Sequence, residues 1–226
     1  MNRFILALLC CAPAMAWGAE PLTSASTDLS LDFSVRVGKA RHNFDYAGGT
    51  KADTRLEWLG VAWYEQVAPR VQLGLAGGKL LLTQTGNTAT VGMEPDGYYA
   101  GIDVRVALLE TSVVQLFVHA SYAYQRVKQE NAGETVTLTW YEPRVQIGAA
   151  VAAAPRLRLF GGGRWNALDG QQRITGPTPQ TVDFDADREV GGFAGLEFAV
   201  ERDGFVGLEG RSGAGRGGEI YFKKLF

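Results

Sequence analysis

The stretch Leu29-Ser30-Leu31-Asp32-Phe33-Ser34-Val35-Arg36-Val37 alternates apolar and polar side chains without a break. Successive side chains of a β-strand point to opposite faces, so a strand here would have one apolar and one polar face. In a helix, Asp32 and Arg36 would share a face with apolar residues, which makes a strand the better fit. The stretch therefore predicts a β-strand whose two faces differ in chemical character.

The same alternation returns along the rest of the chain, where 29 glycines are also spread between the apolar segments. The pattern predicts ten strands, at 29–39, 54–66, 70–82, 97–109, 113–127, 135–151, 156–166, 187–202, 204–211 and 218–226. The ninth segment is short and rich in glycine, so eight strands remain an alternative. Gly77 and Gly78 interrupt the phase of the third segment and predict a β-bulge there.

The connections between the predicted strands alternate between short and long. The short connections lie at 67–70, 110–112, 152–155 and 202–204, and the longer ones at 40–53, 83–96, 128–134, 167–186 and 212–217. A soluble sandwich has no reason to sort its loops in this way, whereas a transmembrane barrel has tight turns on one side and longer loops on the other. The sequence therefore predicts an all-β fold, a closed antiparallel up-and-down transmembrane β-barrel.

The overall composition excludes two other classes of protein. A formal net charge of −2 gives no basic surface for nucleic acid. The mean hydropathy of −0.05 is too polar for a helical membrane protein. After residue 20, no apolar run approaches the roughly 18 residues that a transmembrane helix requires.

The N-terminus has the three parts of an export signal. Arg3 gives a positive start, residues 4–12 are apolar but too few to span a bilayer, and Ala14-Met15-Ala16 is a small-residue cleavage site. We therefore predict a signal peptide over residues 1–19, with cleavage near 16–19, followed by a single barrel domain over 20–226.

Both cysteines of the chain, Cys10 and Cys11, lie inside this predicted signal peptide. The mature chain would then have no disulfide, no thiolate nucleophile and no cysteine metal site. Acylation of Cys11 is an alternative, but Leu8-Leu9-Cys10 before it lacks the small residues that such a site requires.

Aromatic residues are frequent near the ends of the predicted apolar faces. In a transmembrane barrel, such rings form girdles at the two membrane interfaces. The candidates are Trp58, Tyr64, Tyr98, Tyr122, Tyr124, Tyr141, Trp165, Phe198 and Phe226. In a soluble barrel, the alternative, these rings would instead pack a core.

The last predicted strand, Gly218–Phe226, places Ile220, Phe222 and Phe226 in alternation and ends on an aromatic ring. It resembles the bacterial outer-membrane β-barrel proteins, in particular small barrels of the OmpA, OmpX, OmpW and opacity types. The resemblance implies an outer-membrane location, contact with outer-membrane lipid, and recognition of these three residues by the barrel-assembly machinery. Lys224 departs from the pattern and is expected to extend towards the interface.

One set of polar residues is predicted to line the lumen as a structural ladder of paired charges. Its members are Asp103, Arg105, His119, Ser121, Glu142 and Arg144. In-phase hairpins would place Asp103 and Arg144 opposite His119, and Glu142 opposite Ser121.

An acid, a histidine and a serine are also the ingredients of nucleophilic catalysis. His119-Ala120-Ser121 is similar to the H-x-S stretch of outer-membrane lipid A deacylases. Those enzymes act at the outer wall, whereas this phase places both side chains inside. We therefore expect charges paired for stability and no catalytic residue.

The predicted loops contain two further features. Asp183-Phe184-Asp185-Ala186-Asp187 offers spaced carboxylates, but Arg188 stands where a calcium loop requires glycine. We therefore expect no metal and no cofactor. A second group, expected to be exposed in the external loops, comprises His42, Asn43, Phe44, Tyr46, Thr178 and Pro179.

The size of the barrel indicates its function. An eight-stranded barrel is filled by side chains, and water-filled channels need about sixteen strands. With Phe117, Phe160 and Phe193 inside, ten strands should leave little open lumen. We expect a non-enzymatic protein that acts in envelope integrity, or in surface interaction with an unknown ligand or partner at its external loops. A narrow pore for small solutes or ions is the alternative, and a lipid-modifying enzyme is a third hypothesis.

Overall fold

A computed structural model describes residues 31–90, 92–131, 133–186, 189–213 and 215–226. The predicted signal peptide lies outside these residues. Among them, no helix is long and apolar enough to cross a membrane. The strands are β1 (Leu31–Tyr46), β2 (Lys51–Ala68), β3 (Val71–Thr85), β4 (Asp96–Glu110), β5 (Val114–Asn131), β6 (Glu134–Ala154), β7 (Leu157–Asn166), β8 (Asp169–Thr175), β9 (Gln180–Ala186), β10 (Val190–Ala199), β11 (Gly204–Gly213) and β12 (Arg216–Leu225).

Ten of these strands close a ring in the order β1, β2, β3, β4, β5, β6, β7, β10, β11, β12 and back to β1. The closing pair, β1 with β12, is antiparallel and runs from Asp32 opposite Leu225 to Arg41 opposite Arg216. Closure satisfies every backbone donor and acceptor that would otherwise face lipid at a sheet edge. The predicted antiparallel barrel of about ten strands is confirmed.

The two remaining strands, β8 and β9, form a hairpin within the segment 167–186, which was expected to be a loop. β8 pairs with Thr135–Tyr141 of β6, and β9 pairs with Phe44–Tyr46 of β1. We call the end of the barrel that carries the long connections the loop end. There the hairpin connects β6 to β1 in the wall and takes the place of β7, β10, β11 and β12. Each of its strands has only 7 residues, too few for a clear alternation.

An apolar belt surrounds the outside of the ring. On β1, Phe33, Val35 and Val37 are exposed to 38%, 41% and 52%. The other strands add comparable outward residues, among them Leu59, Val61, Leu75, Ile102, Ile147, Leu159, Leu196, Leu208 and Ile220. A soluble barrel would not expose a continuous belt of this kind, whereas a membrane barrel places it against lipid. The chain is therefore a transmembrane β-barrel, and the soluble alternative is wrong.

Most of the predicted girdle residues lie on this outer surface. Six of them are exposed to between 40% and 69%: Tyr98, Tyr122, Tyr141, Trp165, Phe198 and Phe226. The prediction is wrong for Trp58 and Tyr64, which line the interior. The outward positions of β2 are Leu59, Val61 and Trp63. Apolar residues are adjacent in this stretch, so the sequence alone does not fix the phase of the strand.

The two faces of the wall exchange their character above the belt. Along β1, the outward residues change at Lys39 from apolar to polar, and Arg41 and Asn43 continue the polar series. The inward residues change in the opposite sense, from Arg36 below to buried Phe44 above. The phase of the strand does not change. The loop-end part of the barrel is therefore built like a soluble barrel, with an apolar interior and a polar surface.

The bulge predicted at Gly77 and Gly78 is absent, because the pairing of β3 with both neighbours runs through these residues without a shift. Register shifts occur instead between Gln66 and Ala68, Ala107 and Leu109, and Ala152 and Ala154, each close to a short turn. Gly78 faces Gly60 across the strands. A Cβ at Gly60 would collide with the hydroxyl of Tyr99. The glycine pair therefore makes room for a large inward ring.

The change of surface at Lys39 can be tested with one substitution made on each side of it. In vesicles, Val35→Arg should lower the free energy of unfolding by about 2 to 4 kcal/mol, because a cation would face hydrocarbon. Asn43→Arg, outward on the same strand but above the belt, should leave it unchanged. Urea unfolding followed by heat-modifiable migration measures both, and equal effects would contradict the assigned belt.

Candidate functional site

The interior of the loop end is filled by apolar side chains, which we call the external core. Each member is at most 6% exposed. They come from β1, β2, β3, β5, β6 and β9 and from the connection after β7: Phe44, Tyr46, Ala52, Leu56, Leu80, Leu82, Val127, Val136, Leu138, Trp140, Leu168 and Phe184. Side chains from six strands of the wall therefore meet in the middle of the barrel.

Three aromatic rings form the centre of the external core. Phe44 stacks on Phe184 with 4.7 Å between ring centroids, and its centroid lies 6.0 Å from that of Trp140 in an edge-on arrangement. Trp140 and Phe184 are 6.4 Å apart. These distances lie in the favourable range for aromatic pairs. Because Phe184 belongs to β9, the inserted hairpin supplies one third of this centre.

Part of the prediction for the external loops is therefore wrong. His42, Phe44 and Tyr46 lie on β1 rather than in a loop, and all three are buried. They were expected to be exposed because β1 was predicted to end at residue 39. The strand continues for seven residues beyond that point, since its outer face becomes polar where the expected alternation stops.

A buried polar layer borders the external core, with Gln84 at its centre. Gln84 Nε2 donates to Thr54 Oγ1 at 2.8 Å, and Gln84 Oε1 accepts from Thr90 Oγ1 at 2.8 Å and from Asn87 Nδ2 at 3.1 Å. Tyr46 Oη lies 3.0 Å from Gln84 Nε2, and burial raises the pKa of this phenol. The segment after β3 is thus fixed to the barrel by buried hydrogen bonds.

Below the external core lies a cavity of about 300 Å³. Its lining reaches from Leu56 and Leu80, which belong to the external core, to Arg70 and Glu110 beside the short turns. Three rings that were placed inside from the sequence also line it, together with all six residues of the expected polar ladder. These are Phe117, Phe160, Phe193, Asp103, Arg105, His119, Ser121, Glu142 and Arg144.

The pairing of the ladder residues differs from the prediction by two residues. Asp103 lies opposite Ser121, and His119 lies opposite Arg105 on one side and Gln146 on the other. Arg144 lies opposite Ser121. The β4–β5 turn closes with Glu110 opposite Gln115, further towards β5 than the predicted turn at 110–112. The register shift between Ala107 and Leu109 recovers one residue of this displacement. Turn geometry sets the register of a hairpin, and the sequence indicated neither feature.

His119 nevertheless contacts Asp103 along a diagonal. Its Nε2 lies 2.6 Å from Asp103 Oδ1, and its Nδ1 lies 3.0 Å from Gln146 Oε1. Both ring nitrogens are thus engaged, and no hydrogen bond joins His119 to Ser121 among the residues that the structure describes. A serine nucleophile needs a base within hydrogen-bond reach. The arrangement orients the imidazole but does not activate Ser121.

A second ion cluster was not predicted as a unit from the sequence. Glu219 Oε2 lies 2.8 Å from Arg211 Nη2, and Glu219 Oε1 lies 3.5 Å from Arg36 Nη1. Glu209 Oε1 adds a contact of 2.6 Å with Arg211 Nε. Glu219 joins charges from β1, β11 and β12, the strands that close the ring. Glycine is frequent around these residues and weakens the apolar alternation that would reveal their phase.

Arg105 belongs to a third contact group near the short turns. Its Nη1 lies 3.3 Å from Asp32 Oδ2, and its guanidinium lies 3.4 Å from the centroid of the Tyr64 ring. A cation over an aromatic face is favourable. This contact explains why Tyr64, expected at the lipid interface, is fully buried.

Arg164 on β7 has no carboxylate partner in the described part of the chain. It is 4% exposed, and its Nη2 donates to Asn166 Oδ1 at 3.1 Å. Its Nε and Nη1 are shielded from solvent without an acceptor. The nearby Glu142 is occupied by Arg144 and Gln125, each at 2.8 Å. Arg164 is therefore a buried cation whose hydrogen-bond donors are only partly satisfied.

In the described part of the chain, no group of three His, Cys, Asp or Glu side chains lies close enough together to hold a metal ion. Asp183 and Asp185 lie on β9, on either side of the buried Phe184. Asp187 and Arg188 lie outside the described residues. Residues 183–186 instead form the end of the second hairpin strand, β9.

A closed ring with an apolar belt outside and ion pairs inside is the architecture of outer-membrane β-barrels. This class, with its location in the bacterial outer membrane, is what the fold of the chain defines. The chain crosses the membrane with strands, and its external core projects beyond the belt at the loop end.

No family model matches the sequence, and comparison with curated proteins finds no match. Solved structures of similar shape include the outer-membrane protease OmpT of Escherichia coli, with 14% identity, a TM-score of 0.48, and coverage of 92% of this chain and 97% of that one. The translocator domain of the autotransporter NalP of Neisseria meningitidis has 11% identity, a TM-score of 0.49 and 87% coverage of both chains. Neisserial surface protein A has 13% identity, a TM-score of 0.42, and coverage of 86% and 97%. Likenesses at this level do not indicate a function.

Two lumen substitutions should differ in how much unfolding free energy they cost. Glu219→Gln removes the partner of two buried guanidinium groups and should cost about 3 kcal/mol of unfolding free energy. Arg164→Gln removes a cation that has no carboxylate partner and should cost less than about 1 kcal/mol. Urea unfolding of the two variants in the same vesicles measures the difference. A larger loss for Arg164→Gln than for Glu219→Gln would contradict the assigned pairing.

Proposed function

We propose that the chain is a non-enzymatic outer-membrane protein whose lumen is closed towards the outside by the external core. The observation that carries the proposal is the aromatic centre of Phe44, Trp140 and Phe184, which lies across the barrel above the cavity. A barrel closed at its external end does not exchange solutes with the medium. Such a barrel would function in the integrity of the envelope or in interactions at its external surface.

Burial at the junction between the ten-stranded ring and the hairpin supports this proposal. The strands β7, β10, β11 and β12 end below the hairpin, so a side opening could occur there. His42, Asn166 and Leu168 border this junction and are 6%, 0% and 4% exposed. A Cβ on Gly215 would lie 2.6 Å from the His42 ring, so Gly215 packs tightly against this ring.

The engaged ring of His119 supports the non-enzymatic part of the proposal. A lipid-modifying enzyme would need a reactive group that a lipid chain can reach. Asp103, His119 and Ser121 line the interior, whereas lipid contacts the outer wall. The contacts of His119 with Asp103 and Gln146 fit a structural role in which charges in a narrow lumen are paired.

We also propose that β12 is read by the barrel-assembly machinery. Ile220, Phe222 and Phe226 are exposed on the outer face to 53%, 45% and 69%. Exposed side chains on the strand that closes the ring are available for recognition before closure. Lys224, which interrupts the pattern, lies 3.3 Å from Glu201.

Planar-bilayer recording tests whether the lumen is closed. The wild-type barrel should show no stable open steps. Replacing residues 169–186 by a short glycine-serine linker removes the hairpin, and with it Phe184, without touching the belt. This variant should conduct, as should the combined change Phe44→Ala, Trp140→Ala and Phe184→Ala.

The matched control replaces three rings on the outer face, with Tyr98→Ala, Tyr122→Ala and Tyr141→Ala, and should remain silent. Heat-modifiable migration shows which variants have folded. Each aromatic-to-alanine change in the core is expected to lower the unfolding free energy by about 3 to 5 kcal/mol. If the triple variant does not fold, the hairpin replacement alone tests closure. Stable conductance steps from the wild-type protein would support the narrow-pore hypothesis and overturn the proposal that the lumen is closed.

A further inference from the structure

Three arginines form a row on the outer surface, just above the apolar belt. Arg41 on β1 lies directly opposite Arg55 on β2, and it also lies directly opposite Arg216 on β12. All three side chains are exposed. We call these residues the arginine row. Side chains opposite each other on paired strands have Cβ atoms about 5 Å apart, so three guanidinium groups share a short length of the wall.

The arrangement is unfavourable for the barrel alone. Like charges directly opposite each other destabilise a sheet. Arg55 is paired with Glu57, but no ion pair forms at Arg41 or Arg216 within the described ranges. In the row below, Lys39 lies opposite Glu57, and in the row above Asp53 is the outward carboxylate, so four cations face two carboxylates. The patch therefore carries an excess of positive charge with no partner from the barrel.

The height of the row indicates what could compensate this charge. Val37, Leu59 and Ile220 are paired with one another and form the uppermost fully apolar row on the same three strands. The arginine row lies four residues further along each strand, about 13 Å along the strand direction and less along the membrane normal because barrel strands are tilted. Long arginine side chains extend several ångströms towards an interface. Their guanidinium groups therefore reach the level of the lipid headgroups of the external leaflet.

We propose that the arginine row binds a phosphate group on the headgroup of an external-leaflet lipid, the phosphorylated glycolipid known as lipopolysaccharide. Guanidinium groups present several donors in a planar fork that fits phosphate oxygens. A bound phosphate would offset the repulsion between Arg41 and its two neighbours. The row joins β1, β2 and β12, so the lipid would also hold together the strands that close the ring.

The inference deepens the proposed role in the envelope, since it names a lipid that the outer surface would hold. It is independent of whether the lumen is closed, because the arginine row lies on the outer wall. The binding experiment and the conductance experiment can therefore fail separately.

The test compares barrels folded into vesicles of zwitterionic lipid that contain either diphosphorylated lipid A or the same lipid after removal of its phosphates. Phosphorylated lipid A should raise the urea midpoint of the wild type, and the dephosphorylated lipid should not. The double variant Arg41→Gln, Arg216→Gln should lose at least tenfold in affinity for lipid A, measured by native mass spectrometry. Arg41→Lys with Arg216→Lys should retain part of it.

The control variant is Arg126→Gln, an exposed outward cation on β5, far from the row in strand order; its affinity should equal that of the wild type. Inorganic phosphate and a soluble heparin fragment are added as competitors, and neither should displace lipid A. Equal affinity of the double variant and the wild type would overturn the proposal. Displacement by heparin or by free phosphate would also overturn it, because the row would then bind a soluble anion.

Discussion

The outer wall of this barrel contacts lipid up to Lys39 and water above it. The rest of the structure follows from the position of this boundary. Next to lipid, an apolar side chain gains nothing by moving into the lumen, because lipid is as apolar as a protein core. The inner face there can be polar and is held by ion pairs such as Glu219 with Arg211. Above Lys39 the outer face meets water, and each buried apolar Å² contributes about 25 cal/mol. An apolar interior then becomes favourable.

This constraint explains why the hairpin of β8 and β9 is present. A ten-stranded ring is wider than one that side chains fill by themselves, and a cavity of about 300 Å³ remains among the ion pairs. At the loop end, the hairpin takes the place of four strands between β6 and β1. The smaller ring can be filled by Phe44, Trp140 and Phe184. Closure of the lumen is thus a consequence of forming a core in water.

The sequence predicts the lower half of this molecule better than the upper half. Within the belt, lipid selects apolar outward residues such as Phe33 and Val35, and strict alternation identifies the strands. Above the belt the polar and apolar faces exchange, so the expected alternation stops at Lys39 although β1 continues to Tyr46. Where apolar residues are adjacent, as at Trp58 and Tyr64, the phase is ambiguous. The predicted ladder residues all line the cavity, but their contacts depend on the exact position of the β4–β5 turn and on the register shift at Ala107, which no residue type indicates.

Closure by the external core can be measured directly with introduced cysteines, since residues 20–226 contain none. Ser121→Cys lines the cavity below the core, and Asn43→Cys lies on the outer face above the belt. Intact cells are treated with a membrane-impermeant maleimide, and urea-unfolded samples show that both thiols react. If the external core closes the lumen, only Asn43→Cys is labelled in intact cells. Labelling of Ser121→Cys at a comparable rate would show that the lumen is open to the outside.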